Sequence, residues 1–161
     1  MNIGKHSSLA LTGSDISAQV TIGNYTSIGP NVQMHTLHNH ACIQDRNLVS
    51  TAQLGFKGYP QTYGKEKIVI GSDVWIGRNV VLLGGITIGH GAIIGAFSVV
   101  AKSVPPYAVV VGNPCQIKRF RFTDDQISKL LKISWWNWSR EKIEQNKDDF
   151  LDIDKFLANH G

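Results

Sequence analysis

Residues 70–105 read IGSDVW IGRNVV LLGGIT IGHGAI IGAFSV VAKSVP when they are written in blocks of six. The first position of every block is aliphatic, and a glycine follows it in four of the six blocks. The fifth position is small or branched throughout. A helix repeats near 3.6 residues and a strand near 2, so neither accounts for a period of six. A chain that turns after each short strand, and points one aliphatic side chain per block inward, does account for it.

The same period occurs earlier in the chain, at Ile16, Ile22 and Ile28, and Met34 continues it. Ile3 is the clearest member of an imperfect first rung, whose phase slips by one residue before Ile16. The spacing therefore divides a single domain into four parts. These are the first rungs (1–34), an extended loop (35–69), further rungs (70–122) and a helical cap (123–161).

The sequence after the repeat indicates helices. The stretch Thr123–Gln126 matches a capping box, which predicts a helix over Asp124–Ile133. A second helix is predicted from just after Ser139 to about Ala158, with a break near Asp152. Because a coil of rungs needs its open end covered, we expect these helices to close the last rung. The tryptophans between them are expected to serve as packing residues: Trp135, Trp136 and Trp138.

The loop contains the candidate catalytic bases. The period fails between Met34 and Lys67, and a loop this long inside a compact domain is uncommon and usually functional. Imidazole is the side chain whose pKa lies nearest to working pH. Three histidines begin the loop, namely His35, His38 and His40. The others are expected to be surface or turn residues: His6, His90 and His160.

Composition and charge exclude several classes of function. The net charge is +4, and the basic residues are scattered apart from Lys118, Arg119 and Arg121. No nucleic-acid-binding motif is present, and a small polyanion such as a phosphorylated cofactor fits this charge balance as well. Two isolated cysteines, Cys42 and Cys115, form neither a disulfide framework nor a zinc site. Without a signal-peptide pattern or an apolar run of about 20 residues, we expect a cytoplasmic protein that does not contact membranes.

Several motifs resemble those of a known family. The six-residue pattern resembles the hexapeptide repeat of the left-handed parallel β-helix, in which three hexapeptides form one triangular rung. The segment Asp73–Gly77 (DVWIG) is similar to a stretch of acetyl-CoA-dependent hexapeptide enzymes. Val111–Cys115 (VGNPC), followed by Lys118–Phe120 (KRF), looks like another of their segments. The tail around Trp135–Trp138 is similar to that of the xenobiotic acetyltransferases, which acetylate chloramphenicol and streptogramins.

This resemblance implies a fold, a co-substrate and a binding site. The fold would be an all-β left-handed parallel β-helix with an extended loop and C-terminal α-helices. The co-substrate would be acetyl-CoA, no metal would be needed, and the active site of a homotrimer would lie between two subunits. Trp75 would close over the thioester end of acetyl-CoA, and Lys118 or Arg119 would meet the phosphates. The residues implied along the groove between those ends are Ala96, Ala101 and Lys102.

The resemblance also ranks the histidines. Transfer of an acetyl group to a hydroxyl needs a base for the hydroxyl proton and donors for the developing oxyanion. His40 follows Asn39, as in the Asn-His pair of the drug-modifying enzymes, and is the first candidate for the base. His38 is the alternative, because a shift of two residues would put it in the same place.

The sequence indicates the acetyl acceptor less clearly than the acetyl donor. Where the drug-modifying enzymes carry NHR and STYPF, this chain reads NHA at 39–41 and STAQLGF at 50–56. We therefore expect a hydroxyl of a surface-polysaccharide sugar, as in related short enzymes, and keep an antibiotic hydroxyl as the alternative. Only the resemblance to this family favours acetylation of oxygen over acetylation of nitrogen. Two further alternatives are a zinc enzyme resembling γ-type carbonic anhydrase and an inactive scaffold. The spacing of His35, His38 and His40 does not reproduce the ligand set of such zinc enzymes.

Overall fold

Three parallel sheets form the body of the protein. The computed structural model describes residues 1–9, 19–35 and 67–161, together with the backbone of 37–38 and 64–65. The first sheet contains, in order, β1 (Asn2–Ile3), β3 (Val20–Ile22), β8 (Ile68–Ile70) and β11 (Thr87–Ile88). The third contains β5 (Gln33–His35), β10 (Val81–Leu83) and β13 (Val99–Val100).

The second sheet is the longest. From one edge to the other it contains β2 (Ser8–Leu9), β4 (Ser27–Ile28), β9 (Trp75–Ile76), β12 (Ile93–Ile94), β14 (Ala108–Gly112) and β15 (Cys115–Phe120). All of its pairings are parallel except β14 with β15. From β8 to β13 the chain enters the first, second and third sheets in turn, which is the coil of short strands that the period of six predicts.

The predicted aliphatic positions form the core. The first residues of the six blocks are at most 1% exposed: Ile70, Ile76, Leu82, Ile88, Ile94 and Val100. Each stacks on the residue 18 positions away, as Ile70 does on Ile88. The stacking also explains Gly91, whose φ is +70° and whose missing side chain leaves room for the ring of Tyr107 in the next rung. Burial of successive aliphatic side chains in columns is therefore the main stabilising contribution of the rungs.

The interruption does not disturb the stacking. Ile22 lies opposite Ile70, and Met34 lies opposite Leu82, as if the two segments were consecutive rungs. Ile3 pairs with Ile22, 19 positions away, in agreement with the predicted slip of one residue. Two short antiparallel strands, β6 (Leu37–His38) and β7 (Gly64–Lys65), join the two ends of the loop. The residues between these strands lie outside the described part of the chain.

The cap contains three α-helices, α1 (Asp124–Ile133), α2 (Arg140–Gln145) and α3 (Ile153–His160), and 3-10 turns at Trp135–Asn137 and Lys147–Leu151. The predicted bounds of α1 are confirmed, and both hydrogen bonds of its capping box are present. The prediction of one helix from Ser139 to a break near Asp152 is wrong, because α2 already ends at Gln145 and a 3-10 turn replaces its continuation. The break at Asp152 is confirmed, since its carboxylate caps α3.

The cap packs on the rungs through aromatic residues. Tyr107, Leu130, Trp136 and Phe156 form a buried cluster, against which Trp135 and Trp138 also pack. The predicted packing role of the tryptophans is therefore confirmed. Within the described residues, no helix has both the length and the apolar character that a bilayer span requires.

Candidate functional site

The outer face of the second sheet carries a row of four aligned residues. Trp75 on β9 pairs with Ile93 on β12, Ile93 pairs with Val109 on β14, and Val109 pairs with Arg119 on β15. Their side chains share one face because paired residues of neighbouring strands point to the same side. Ile76, Ile94 and Val110, which follow the first three, point into the core. Three strand spacings separate the ends of this outer row, a distance of about 14 Å.

The outer row is apolar at one end and cationic at the other. The indole of Trp75 is 48% exposed, and Ile93 and Val109 are half-buried. Arg119 is exposed, and among the described residues its Nη1 donates a single hydrogen bond, of 3.3 Å, to the carbonyl oxygen of Phe120. Such a row suits a long, thin ligand with an apolar arm and an anionic end.

β15 adds a second cation at the same end, because its register shifts between Val109 and Val110. Arg119 lies opposite Val109 and Ile117 lies opposite Val110, so that Lys118 is the extra residue of a β-bulge. Neither Lys118 nor Arg119 forms an ion pair with a described residue. The sequence pattern did not predict β15, since five of its six residues are exposed and no buried alternation marks it.

Lys102 lies near the start of β15. It lines a cavity of about 170 Å³ together with Cys115, Gln116 and Ile117. Ala101 precedes it and is also exposed, in the corner that follows β13. Burial raises the pKa of the Cys115 thiol, so this cysteine stays protonated near neutral pH and is a poor nucleophile. The structure thus places a third cation near β15 without supplying a nucleophile there.

Ala96 lies in the corner between the second and third sheets, stacked directly on Gly77 of the preceding rung. Its neighbour Phe97 is 61% exposed and has a φ of +61°, which is rare for a bulky side chain. The guanidinium of Arg78 lies 5.4 Å from the centre of the Phe97 ring. Sequence reasoning missed this pair, although a signal was present. Phe97 is the only large apolar residue at the fourth position of the six blocks, where Asp, Asn, Gly and Ser stand otherwise.

The histidines are less fully placed. His40 lies outside the described residues, and for His38 the structure gives only the backbone, opposite Gly64 in the stem of the loop. His35 pairs with Leu83 in the third sheet, and its Nε2 lies 3.3 Å from Gln33 Oε1. The distance from the His38 and His40 side chains to the outer row therefore lies outside the described part of the structure.

Two of the remaining histidines occupy turns, as predicted. His6 lies in a turn and stacks on Tyr25. His90 also lies in a turn, where its Nδ1 accepts a 2.9 Å hydrogen bond from the Ser72 amide and its ring stacks on Trp136. Burial lowers the pKa of His90. This histidine is therefore a neutral packing residue.

The prediction for His160 is wrong. Its side chain is only 12% exposed, and Nε2 donates a 3.1 Å hydrogen bond to Asp149 in the interior of the cap. The ring also contacts Trp138 and Phe156. His160 therefore belongs to the packing of the cap. Within residues 1–9, 19–35 and 67–161, no three His, Cys, Asp or Glu side chains converge as a metal site would require.

Sequence comparisons agree with the motifs. Residues 67–102 match the family described as bacterial transferase hexapeptide (six repeats). The chain is 58% identical over 76 residues to a chloramphenicol acetyltransferase of Klebsiella aerogenes, which covers 47% of this chain and 36% of that protein. It is 51% identical over 105 residues to a probable macrolide acetyltransferase of Lysinibacillus sphaericus, covering 65% and 54% respectively. The chain thus spans between about a third and a half of the length of these relatives.

Solved structures give the same result. A hexapeptide-repeat acetyltransferase of Vibrio cholerae, complexed with acetyl coenzyme A, superposes with a TM-score of 0.58 at 33% identity, over 75% of this chain and 60% of that one. A maltose O-acetyltransferase of Clostridium difficile superposes with a TM-score of 0.61 at 31% identity, over 75% and 59%. Residues 67–102 therefore carry the hexapeptide repeat of a bacterial transferase family, and the relatives named here in sequence and structure are acetyltransferases, among them proteins named for chloramphenicol and macrolides.

Proposed function

We propose that this chain is an acetyl-CoA-dependent O-acetyltransferase that acts on a hydroxyl group of a small molecule. The outer row Trp75–Ile93–Val109–Arg119 is the observation that carries the proposal, because it offers an apolar path that ends beside two cations without an ion-pair partner among the described residues. The matched Vibrio cholerae structure, which holds acetyl coenzyme A, supports the same co-substrate.

In this proposal the pantetheine arm follows the outer row. Arg119 and Lys118 hold the phosphates, and charge-assisted hydrogen bonds of this kind are about twice as strong as neutral ones. Trp75 packs over the thioester end with its exposed indole face. Ala101 and Lys102 line the groove from the corner that follows β13, and Ala96, whose side chain is a single methyl group, lines it from the corner between the second and third sheets.

The chemistry requires one base and no covalent enzyme intermediate. His40, or His38 as the alternative, takes the proton of the acceptor hydroxyl while its oxygen attacks the thioester carbonyl carbon. The carbon–sulfur bond then breaks, and the proton leaves with the CoA thiol.

We further propose that the β-helix is left-handed and that three copies of the chain assemble into a homotrimer. In a homotrimer the loop 35–69 of one subunit could reach the second sheet of the next. The base would then come from one chain and the outer row from another. Since its co-substrate is a metabolite of the cell interior, we place the enzyme in the cytoplasm.

The acceptor we propose is a sugar hydroxyl. The matched maltose O-acetyltransferase acts on a sugar, according to its name, and this chain departs from the drug-modifying enzymes at 39–41 and 50–56. An antibiotic hydroxyl is the second candidate, because the relatives at 58% and 51% identity are named for chloramphenicol and macrolides.

A thiol-release assay tests the proposal. The purified protein is incubated with acetyl-CoA and, in parallel, with maltose, sialic acid, N-acetylglucosamine, chloramphenicol or a macrolide, and free CoA thiol is followed over time. Acceptor-dependent release with a sugar supports the first candidate, and release with a drug supports the second. Binding of acetyl-CoA without release on any acceptor would favour an inactive scaffold. Zinc in the purified protein, found by metal analysis, would favour the carbonic-anhydrase-like alternative.

A further inference from the structure

One arginine side chain spans three rungs at a single corner of the coil. Arg121 Nη1 donates to Asp73 Oδ2 at 3.1 Å and to the carbonyl oxygen of Gly91 at 2.7 Å. Its backbone amide donates to the carbonyl oxygen of Tyr107 at 2.9 Å. The guanidinium also lies 5.4 Å from the ring centre of Tyr107 and 5.2 Å from that of Phe122. Asp73, Gly91 and Tyr107 precede three successive strands of the second sheet.

These contacts run parallel to the outer row. Asp73 stands two residues before Trp75, Gly91 two before Ile93, and Tyr107 two before Val109. Arg121 itself stands two residues after Arg119. Each residue of the outer row therefore stands two positions along the chain from Arg121 itself or from a residue that Arg121 contacts. The contacts of Arg121 therefore link the ends of the four strands that carry the outer row.

Among the described residues, the far end of β15 has few other anchors. Within that part of the chain β15 pairs with β14 alone, its register contains a bulge, and its residues after Cys115 are exposed. The Asp73 and Arg121 side chains are about a quarter exposed, so their ion pair is partly shielded from solvent. Burial raises the pKa of Asp73, and the charge of Arg121 offsets that rise only in part. The arginine is thus held by an ion pair, a carbonyl and two aromatic rings rather than by solvent-exposed charge alone.

We propose that Arg121 is a positioning residue for acetyl-CoA, which ties β15 to the corner and so holds Arg119 in line with Trp75. The inference rests on the proposed function, because it assigns Arg121 a role through the phosphate contact of Arg119. It does not place Arg121 itself on the ligand.

A double-mutant cycle tests this role, with CoA affinity measured by isothermal titration. Arg121→Gln should weaken CoA binding roughly tenfold, since misplacing Arg119 loses most of one charge-assisted contact. Arg119→Ala should weaken it by at least as much. In the double variant the affinity should equal that of Arg119→Ala within about twofold, because residues that act through one contact are not additive. Arg121→Lys keeps the charge but not the fork that reaches both acceptors, and should be intermediate.

Arg140→Gln is the matched control. Arg140 pairs with Glu144 on the exposed face of α2, so its loss should leave CoA affinity unchanged. If Arg121→Gln does not fold, Asp73→Asn removes the same ion pair while keeping the shape of the side chain, and the cycle is run with it. Effects of Arg121 and Arg119 that multiply, or an unchanged affinity in Arg121→Gln, would overturn the inference and leave the proposed function standing. A wild-type protein that binds no CoA would overturn both.

Discussion

Tyr107 shows how tightly the corner of the coil is packed. Its side chain is 1% exposed, yet its hydroxyl has no hydrogen-bond partner among the described residues. A buried hydroxyl without a partner costs roughly 1–3 kcal/mol. Tyr107→Phe should therefore raise the free energy of unfolding in urea by about 1 kcal/mol. A decrease of that size would show instead that the hydroxyl is satisfied in solution.

His40 is the proposed general base of acetyl transfer. Removing a general base slows catalysis by roughly 10²–10⁴. His40→Ala should show such a loss of turnover with unchanged affinity for acetyl-CoA, because the imidazole serves the acceptor. His38→Ala, assayed beside it, is the matched comparison. If His40→Ala retains more than about a tenth of wild-type turnover while His38→Ala does not, the base is His38.

At the scale of elements, one carboxylate holds the last part of the cap together. Asp149 accepts hydrogen bonds from Asn159 and His160 and pairs with Lys155 at 3.0 Å. These donors, led by Asn159, lower the pKa of Asp149 to about 2, from an ordinary 3.8. The folded-state pKa lies below the unfolded one, so the contribution of Asp149 is complete above about pH 4 and is lost as the pH falls towards 2.

Thermal unfolding at pH values from 6 down to 2, monitored by the near-ultraviolet circular dichroism of the cap tryptophans, measures this contribution. The wild-type melting temperature should exceed that of Asp149→Asn at pH 6, and the two should converge as the pH approaches 2. A difference that stays constant over this range would mean that the charge of Asp149 is not what stabilises the cap.

Sequence patterns predicted the elements that have strong local signals. The six-residue period located the rungs because each first position has to be buried, and the Thr123–Gln126 capping box located α1. β15 escaped prediction because an exposed edge strand carries no buried alternation, and its pairing with β14 is set by tertiary contact. The end of α2 also escaped, since no proline or glycine marks Asn146.

The candidate site was only partly predictable for a related reason. The resemblance pointed to Trp75 and Arg119 separately, but their alignment depends on strand pairings between residues 18 and 16 positions apart and on the hairpin of β14 and β15. Arg121 carried no motif at all, and its contacts to Asp73 and Gly91 emerge only when successive rungs are stacked.

For the whole molecule, we expect a trimer. The stem of the loop, β6 and β7, follows directly on β5 of the third sheet, whereas the outer row lies on the second. A neighbouring copy would bring the two together. Light scattering coupled to size exclusion should give three times the chain mass of 17.7 kDa at micromolar concentration. A monomer under those conditions would contradict the shared site.

The claim that acetyl-CoA lies along the outer row is tested most directly by titrating the purified protein with acetyl-CoA in a calorimeter. We expect saturable binding at one site per chain. Arg119→Ala should weaken that binding by at least tenfold, equivalent to the roughly 1.5–3 kcal/mol of a charge-assisted contact. The absence of binding in the wild type, or an affinity that Arg119→Ala leaves unchanged, would contradict it.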